Sequence, residues 1–160
     1  MTADATSNEL CAASRRSSSL AAKKPRRGWW VAPGGKMESG ESVKDSVVRE
    51  YREENRYLYF KSAAERCFFY LYHKKEGDQI VQEWMMFTFM ADSFTGKNVT
   101  ESEEGILKWH DVKDVPHLPM APGDSHILDF MLKGKGLLHG TFTYTPDFEL
   151  IAYRLDPQGE

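Results

Sequence analysis

The sequence predicts an α/β domain in which a mixed sheet is packed between helices. Three observations carry that expectation. From Glu41 to Glu54 there is neither Pro nor Gly, so the segment reads as one continuous helix. Two apolar runs, CFFYLY at 67–72 and WMMFTFM at 84–90, read as buried strands parted by a polar KKEGDQ turn. Residues 121–136, APGDSHILDFMLKGKG, read as a second helix. Strands on both sides of one helix, followed by another helix, call for a sheet covered on both faces.

Each further element follows in chain order. Residues 1–22 are rich in Ala, Ser and Thr with little periodicity and read as a leader without regular structure. WWVAP at 29–33 follows the basic cluster Lys23, Lys24, Arg26 and Arg27. After the two apolar strands comes an acidic loop, ESEEG at 101–105, and then ILKWHDV as another strand. In the second helix Asp124 or Ser125 is the expected cap. Ile127, Leu128, Met131 and Leu132 form its apolar side, and Gly134 stops it. The tail carries two β-rich runs, GTFTYT and LIAYRL, around PDFE, and should close as a hairpin.

Composition narrows the function classes. The 160 residues suffice for one domain with a real core. With 21 basic and 24 acidic residues the net charge is −3, which argues against a stable nucleic-acid complex. No apolar run approaches the ~18 residues of a membrane span. Cys11 and Cys67 have no partner motif, so neither a disulfide framework nor a zinc site is indicated, and a cytoplasmic home is the default. SRRSSSLAA at 14–22 loosely looks like an export signal. It lacks an apolar h-region, and Asp4 and Glu9 lie upstream.

The chemistry sits on the first helix. At about 100° per residue, Glu50, Glu53 and Glu54 fall within roughly a third of its circumference. Val43, Val47 and Tyr51 form an apolar stripe beside that acidic patch, so the carboxylates stand where core meets solvent. They repel one another unless something neutralises them, and hard oxygen donors at i, i+3 and i+4 suit Mg²⁺ or Mn²⁺. A solvated acidic helix face is the alternative, and the residues upstream tell against it. Gly34-Gly35, Glu41 and Arg49 stand at fixed spacings ahead of the acids. Together, GKMESGESVKDSVVREYREENRY at 35–57 resembles the Nudix box, Gly-x5-Glu-x7-Arg-Glu-U-x-Glu-Glu-x-Gly-U, where U is bulky and apolar. Tyr51 fills a U position, and Arg56 stands where the box has its closing Gly.

The resemblance implies a Nudix α/β/α sandwich and a metal-dependent nucleoside polyphosphate pyrophosphohydrolase. It implies Glu50, Glu53 and Glu54 as metal-binding acids, helped by the main-chain carbonyl of Gly34 or Gly35. Glu50 or Glu53 would serve as general base, and Arg49 would orient the helix acids. Glu41 reads as a carboxylate of the helix N-terminus rather than a ligand. The family often adds one acid from a later loop, for which Glu103 and Glu104 are the candidates. Lys23, Lys24, Arg26, Arg27 and Lys36 could hold distal phosphates, and Trp29 or Trp30 could stack a purine. His110, His117, His126 and His139 show no metal-ligand spacing and receive no role.

Beyond the box, KPRRGWWVAPGGKMESGESV, QEWMMFTF, LPMAPGD and HGTFTYTPDFEL resemble Gram-positive bacterial Nudix hydrolases labelled 8-oxo-dGTP diphosphatase-like. That subgroup includes a hydrolase of the (p)ppGpp alarmones, so a guanine nucleotide is the implied substrate. A catalytically impaired nucleotide-binding protein and an RNA 5′-pyrophosphohydrolase are the alternatives. Such folds also pair as homodimers, which neither a heptad nor an exposed apolar stripe decides here. The likeness covers 23–54 and 74–158 and fails in 1–22 and 55–73, so the sandwich is open to the loss of its regular first strand. Read one base out of frame, permitted codons for the first stretch give a strand of the expected kind, and for the second they restore the box Gly. Two compensated frameshifts are therefore expected, and nucleotide sequencing of the gene checks this: codons that cannot encode the shifted readings would remove the explanation.

Overall fold

The computed structural model describes residues 7–11, 18–23, 28–55, 57–96, 101–102 and 105–157. Strand β1 (Ser7–Cys11) and β2 (Ser18–Lys23) come first, then β3 (Trp30–Val31), β4 (Gly34–Lys36) and helix α1 (Val43–Asn55). The long strands β5 (Tyr57–Glu76) and β6 (Gln79–Gly96) follow, then β7 (Glu101–Ser102), β8 (Gly105–Asp111) and a short 3-10 turn at Val115–His117. Helix α2 (Asp124–Lys133) and the strands β9 (Gly136–Tyr144) and β10 (Leu150–Pro157) complete the chain. One sheet has the order β10-β9-β5-β6-β1-β4 and the other β3-β2-β8-β7. In the larger sheet β1 runs parallel to β6 and β5 parallel to β9, while β5–β6, β9–β10 and β1–β4 are antiparallel. This is the mixed sheet the sequence predicts.

The two helices cover opposite faces, as register shows. Tyr72 pairs with Trp84, and Tyr72 packs in one core cluster with Ile127 and Met131 of α2. Thr88 lies on the same side, two steps of the strand alternation further along, and its row continues through Glu9 to Gly34. Gly35 therefore faces the other way, and there it meets Glu50 of α1. Phe142, Tyr144 and Met131, each 1% exposed, anchor the α2 side. Burying a Phe or Met side chain is worth about 1.5–3 kcal/mol.

Local chemistry explains α1. Gly40 takes a positive φ of 89°, which turns the chain into the helix. The Ser42 hydroxyl then accepts the Asp45 N–H at 3.1 Å and donates to Asp45 Oδ2 at 2.7 Å, capping the first turn. Val47 and Tyr51 are buried along the expected stripe and Val43 is partly buried. Arg56, the departure from the box, lies outside the described residues.

Two expectations are corrected. The segment 1–22, read as a leader, supplies β1 and most of β2. β1 sits between β6 and β4, so the larger sheet has an inner first strand. Ser- and Ala-rich sequence favours strands weakly on its own, and here ladders to β6, β4 and β8 impose the extended backbone. The cap of α2 is also different: Gly123 holds the N-cap position, with no side-chain cap bond. The Asp124 and His126 N–H groups bond to the Ala121 and Gly123 carbonyls, so the preceding turn takes over that work. The Gly123 N–H donates to the Tyr144 hydroxyl at 3.1 Å. At the other end Gly134 ends α2 as expected, its N–H donating to the Phe130 carbonyl at 2.7 Å.

Both partners of the Gly123–Tyr144 bond are buried. Tyr144→Phe should therefore leave an orphaned N–H and lower unfolding free energy by about 1–3 kcal/mol. Urea unfolding of the two proteins measures the difference.

Candidate active site

Arg49 is the centre of the acidic end of α1. A guanidinium has five N–H donors in a fixed plane. Nε donates to Glu41 Oε2 at 3.1 Å, and Nη2 donates to Glu41 Oε1 at 2.7 Å, a bidentate fork. Nη2 also reaches the Lys36 carbonyl at 3.0 Å, and Nη1 donates to Glu50 Oε1 at 2.8 Å and Glu53 Oε2 at 3.2 Å. The Ser46 hydroxyl stands 3.5 Å from Nη2. One side chain thus ties strand β4, the loop before the helix and two acids of the helix together.

The loop is itself braced. The Glu38 N–H donates to Glu41 Oε1 at 2.6 Å, and the Glu41 N–H returns to the Glu38 carbonyl at 3.4 Å. The Arg49 guanidinium, with the Glu38 N–H second, holds the Glu41 carboxyl at a pKa of about 2, well below its usual range. Glu41 and then Glu50 push the Arg49 pKa up in return.

Glu50 comes against the backbone of β4 so closely that a Cβ at Gly35 would collide with its carboxylate. Only glycine permits that approach. Glu53 is 60% exposed, whereas Arg49 is 23% and Glu50 15%. Among the described residues no three His, Cys, Asp or Glu side chains already form a metal-holding group. The donor set nonetheless fits a hard divalent cation. Glu50 and Glu53 each engage Arg49 through one of two carboxylate oxygens, and Gly35, lacking a Cβ, lets the Glu50 carboxylate lie directly against β4.

The structure brings Arg49, Glu50, Glu53, Gly35 and the Lys36 carbonyl together. Gly34 adjoins them on β4, and Glu54 lies on α1 with its side chain outside the described set. The Lys36 side chain is exposed. Trp29 stands edge-on to Phe148 at 6.1 Å. Trp30 stands edge-on to His110 at 4.3 Å, and its backbone N–H donates to the Pro119 carbonyl. Burial, then the charge of Lys108, lowers the His110 pKa. Lys23 lies on β2 with its side chain outside the description; Lys24, Arg26, Arg27, Glu103 and Glu104 fall outside the described residues altogether. Sequence reasoning missed Ser46, which is fully buried against Arg49. Its spacing, four residues after Ser42 and three before Arg49, was the available signal.

The NUDIX domain family model matches residues 4–131. The chain is 69% identical over 139 residues, 87% of either chain, to YvcI of Bacillus subtilis (strain 168), an uncharacterized Nudix hydrolase. It is 42% identical to the crystal structure of a mutator MutT protein from Bacillus halodurans, with a TM-score of 0.88 over 97% of this chain and 99% of that one. The MutT Nudix hydrolase of Burkholderia pseudomallei shares the fold, at 21% identity and a TM-score of 0.60, over 78% of this chain and 95% of its own.

Linkage gives a pH test of the Arg49 fork. A carboxyl held below its unfolded pKa of 4.5 adds stability that is complete above that value and lost as pH falls towards 2. Glu41→Gln should therefore be less stable than the parent at neutral pH in chelator, and the gap should narrow as pH drops below 4.5. Urea midpoints measured from pH 7 to pH 3 report it. A gap that is constant with pH would mean that Glu41 charge is not what the fork uses.

Proposed function

The chain belongs to the Nudix family and is a Nudix hydrolase, and on that premise we propose that it is a metal-dependent nucleoside polyphosphate pyrophosphohydrolase acting on a guanine nucleotide. The observation that carries the reading is the Arg49 fork, which fixes Glu50 against Gly35 and draws Glu53 to the same point. Glu50, Glu53 and Glu54, with a carbonyl of Gly34 or Gly35, would hold Mg²⁺ or Mn²⁺, and Glu104 would add a further acid. Bound there, the cation would neutralise phosphate charge and acidify water.

The chain's own groups supply the rest. Arg49 orients the acids, since its planar fork allows little rotation once Glu41 and the Lys36 carbonyl are engaged. The carboxylate of Glu50 or Glu53 takes the proton of a water whose oxygen bonds to phosphorus. The bridging P–O bond breaks, and two phosphorylated products leave. Lys23, Lys24, Arg26, Arg27 and Lys36 hold the distal phosphates, and Trp29 stacks on the base. The resemblance to the 8-oxo-dGTP diphosphatase-like subgroup supports guanine, either in an oxidised dGTP or in a (p)ppGpp-type alarmone. A homodimer and a cytoplasmic setting accord with the family, and among the described residues no helix is long and apolar enough to cross a membrane.

Purified protein with Mg²⁺ and dGTP, 8-oxo-dGTP, GTP or ppGpp, followed by product identification, tests the reaction. Metal-dependent cleavage is expected, and Glu53→Gln should lower kcat by about 10²-fold or more while nucleotide binding persists. A folded protein that binds but cleaves nothing would make it a binding-only member. Preference for triphosphorylated RNA over free nucleotides would reassign the substrate.

A further inference from the structure

The two edges of the larger sheet are not alike. At one, β4 is three residues long, and so short an edge offers little to pair with. At the other, β10 runs for eight residues, and from Ala152 to Pro157 its register with β9 is unbroken. Ile151 is 56% exposed and Tyr153 50%. Tyr153 nevertheless has a fixed place, stacked on His126 of α2 at 4.1 Å, and Leu155 packs against the α2-side core. The charges of the strand are one Arg and one Asp, which offset each other, in place of the lysines that commonly blunt an edge.

Proline decides which backbone groups point outward. Opposite residues of an antiparallel pair alternate between those that exchange both N–H···O bonds and those that exchange none. Pro157 has no N–H, so its pairing with Leu138 is of the second kind. Counting back, Asp156, Arg154 and Ala152 spend their N–H and C=O groups on His139, Thr141 and Thr143. Those of Tyr153 and Leu155 therefore point away from β9, along an edge where no strand meets them among the described residues. Arg154 and Asp156 project from the face opposite to Tyr153 and Leu155. They are 79% and 41% exposed and pair within the chain, Nε to Oδ1 at 2.6 Å, which engages one of five guanidinium donors.

We propose that β10 is a self-association edge, which pairs antiparallel with β10 of a second copy about a two-fold axis at Leu155. About that axis Leu155 exchanges both backbone bonds with the partner's Leu155. Each Tyr153 N–H donates to the partner's Pro157 carbonyl, where the missing proline N–H costs only the return bond. Arg154 then faces the partner's Asp156, and Asp156 the partner's Arg154, in the closer kind of antiparallel pair. An axis at Arg154 or at Asp156 sets like charges against each other, and one at Tyr153 sets Arg154 against Ala152. Charge thus selects a single register, and the strand it fits is this strand itself. Such an interface is closed, so assembly stops at the dimer. β4 and its carboxylates lie five strand spacings from β10, roughly 24 Å, and stay open at the far ends of the joined sheet. The proposal rests on the sheet edge and not on the hydrolase reading.

Sedimentation equilibrium of the full chain over the micromolar range tests it. The parent should be dimeric. Arg154→Asp and Asp156→Arg should each raise the dimer Kd at least about tenfold, and the double variant, with the charges exchanged, should restore the dimer. All three should keep the parent's Tm, since an exposed ion pair adds little to stability. Amide exchange locates the contact: the Tyr153 and Leu155 N–H groups should exchange slowly in the dimer and fast in either single variant. Dilution of the parent should release them too, a test that needs no variant. A monomeric parent, a dimer that survives either single change, or a double variant that stays monomeric overturns the proposal. Slow exchange at Leu155 that persists on dilution means that the chain itself covers the edge, and overturns it as well. Nucleotide hydrolysis keeps the two readings apart. An active monomer removes the dimer edge and leaves the reaction; an inactive protein that dimerises through β10 removes the reaction and leaves the edge.

Discussion

The arrangement at the acidic end of α1 depends on the bond network of a single guanidinium. Arg49 joins Glu41, Glu50, Glu53 and the Lys36 carbonyl, groups that belong to three successive pieces of backbone. A lysine could meet any one of these as a point charge, but it could not meet them together in a plane. Because the bonds run both to the loop and to the helix, the position of β4 and the rotation of α1 are set by the same side chain. Ser46 and Val47 then fix the depth of the helix against the sheet, since both are buried.

Glycine completes what the arginine begins. Contact between Glu50 and Gly35 requires that β4 carry no Cβ on that face. The opposite face of the strand is set by Gly34, in register with Glu9 and Thr88. A strand of only three residues, at a sheet edge and with two glycines, has little intrinsic stability. Its place is secured by pairing with β1 and by the Arg49 bond to Lys36. The sheet edge is thus held by side-chain chemistry from the helix as much as by its own ladder.

These dependencies explain what could be read from the sequence. Helix α1, the β5–β6 pair, α2 and the β9–β10 hairpin were legible because periodicity and Gly, Pro or polar breaks mark them locally. The link of Glu41 to Arg49 was legible only through the motif, since eight residues of chain part them. β1 and β2 were not legible. Their short runs, SNELC and the Ser- and Ala-rich SSLAAK, carry little strand signal, and the partners that extend them lie up to 93 residues away, as Asp111 does from Ser18. The α2 cap was misread for a related reason: a side chain from β9, not the local Asp124 or Ser125, meets the first N–H. Phe148 could not be foreseen either, because positive φ there answers to the bonds of its turn and not to its residue type.

Charge balance links the stability of the site to its proposed chemistry. Four carboxylates, those of Glu38, Glu41, Glu50 and Glu53, stand within 4.0 Å of the one guanidinium. The fork keeps Glu41 ionised down to a pH of about 2, so a neutralising proton on it is not available under ordinary conditions. One positive charge cannot offset this set, and the excess lies on the helix acids next to the glycine strand. Such an excess weakens the fold through mutual repulsion, and it would also repel the polyphosphate proposed as substrate. A divalent cation bound by the helix acids, as proposed, would relieve both repulsions at once. On electrostatic grounds, cation and nucleotide should therefore each bind more tightly in the presence of the other, because each reduces the charge conflict that the other would face alone.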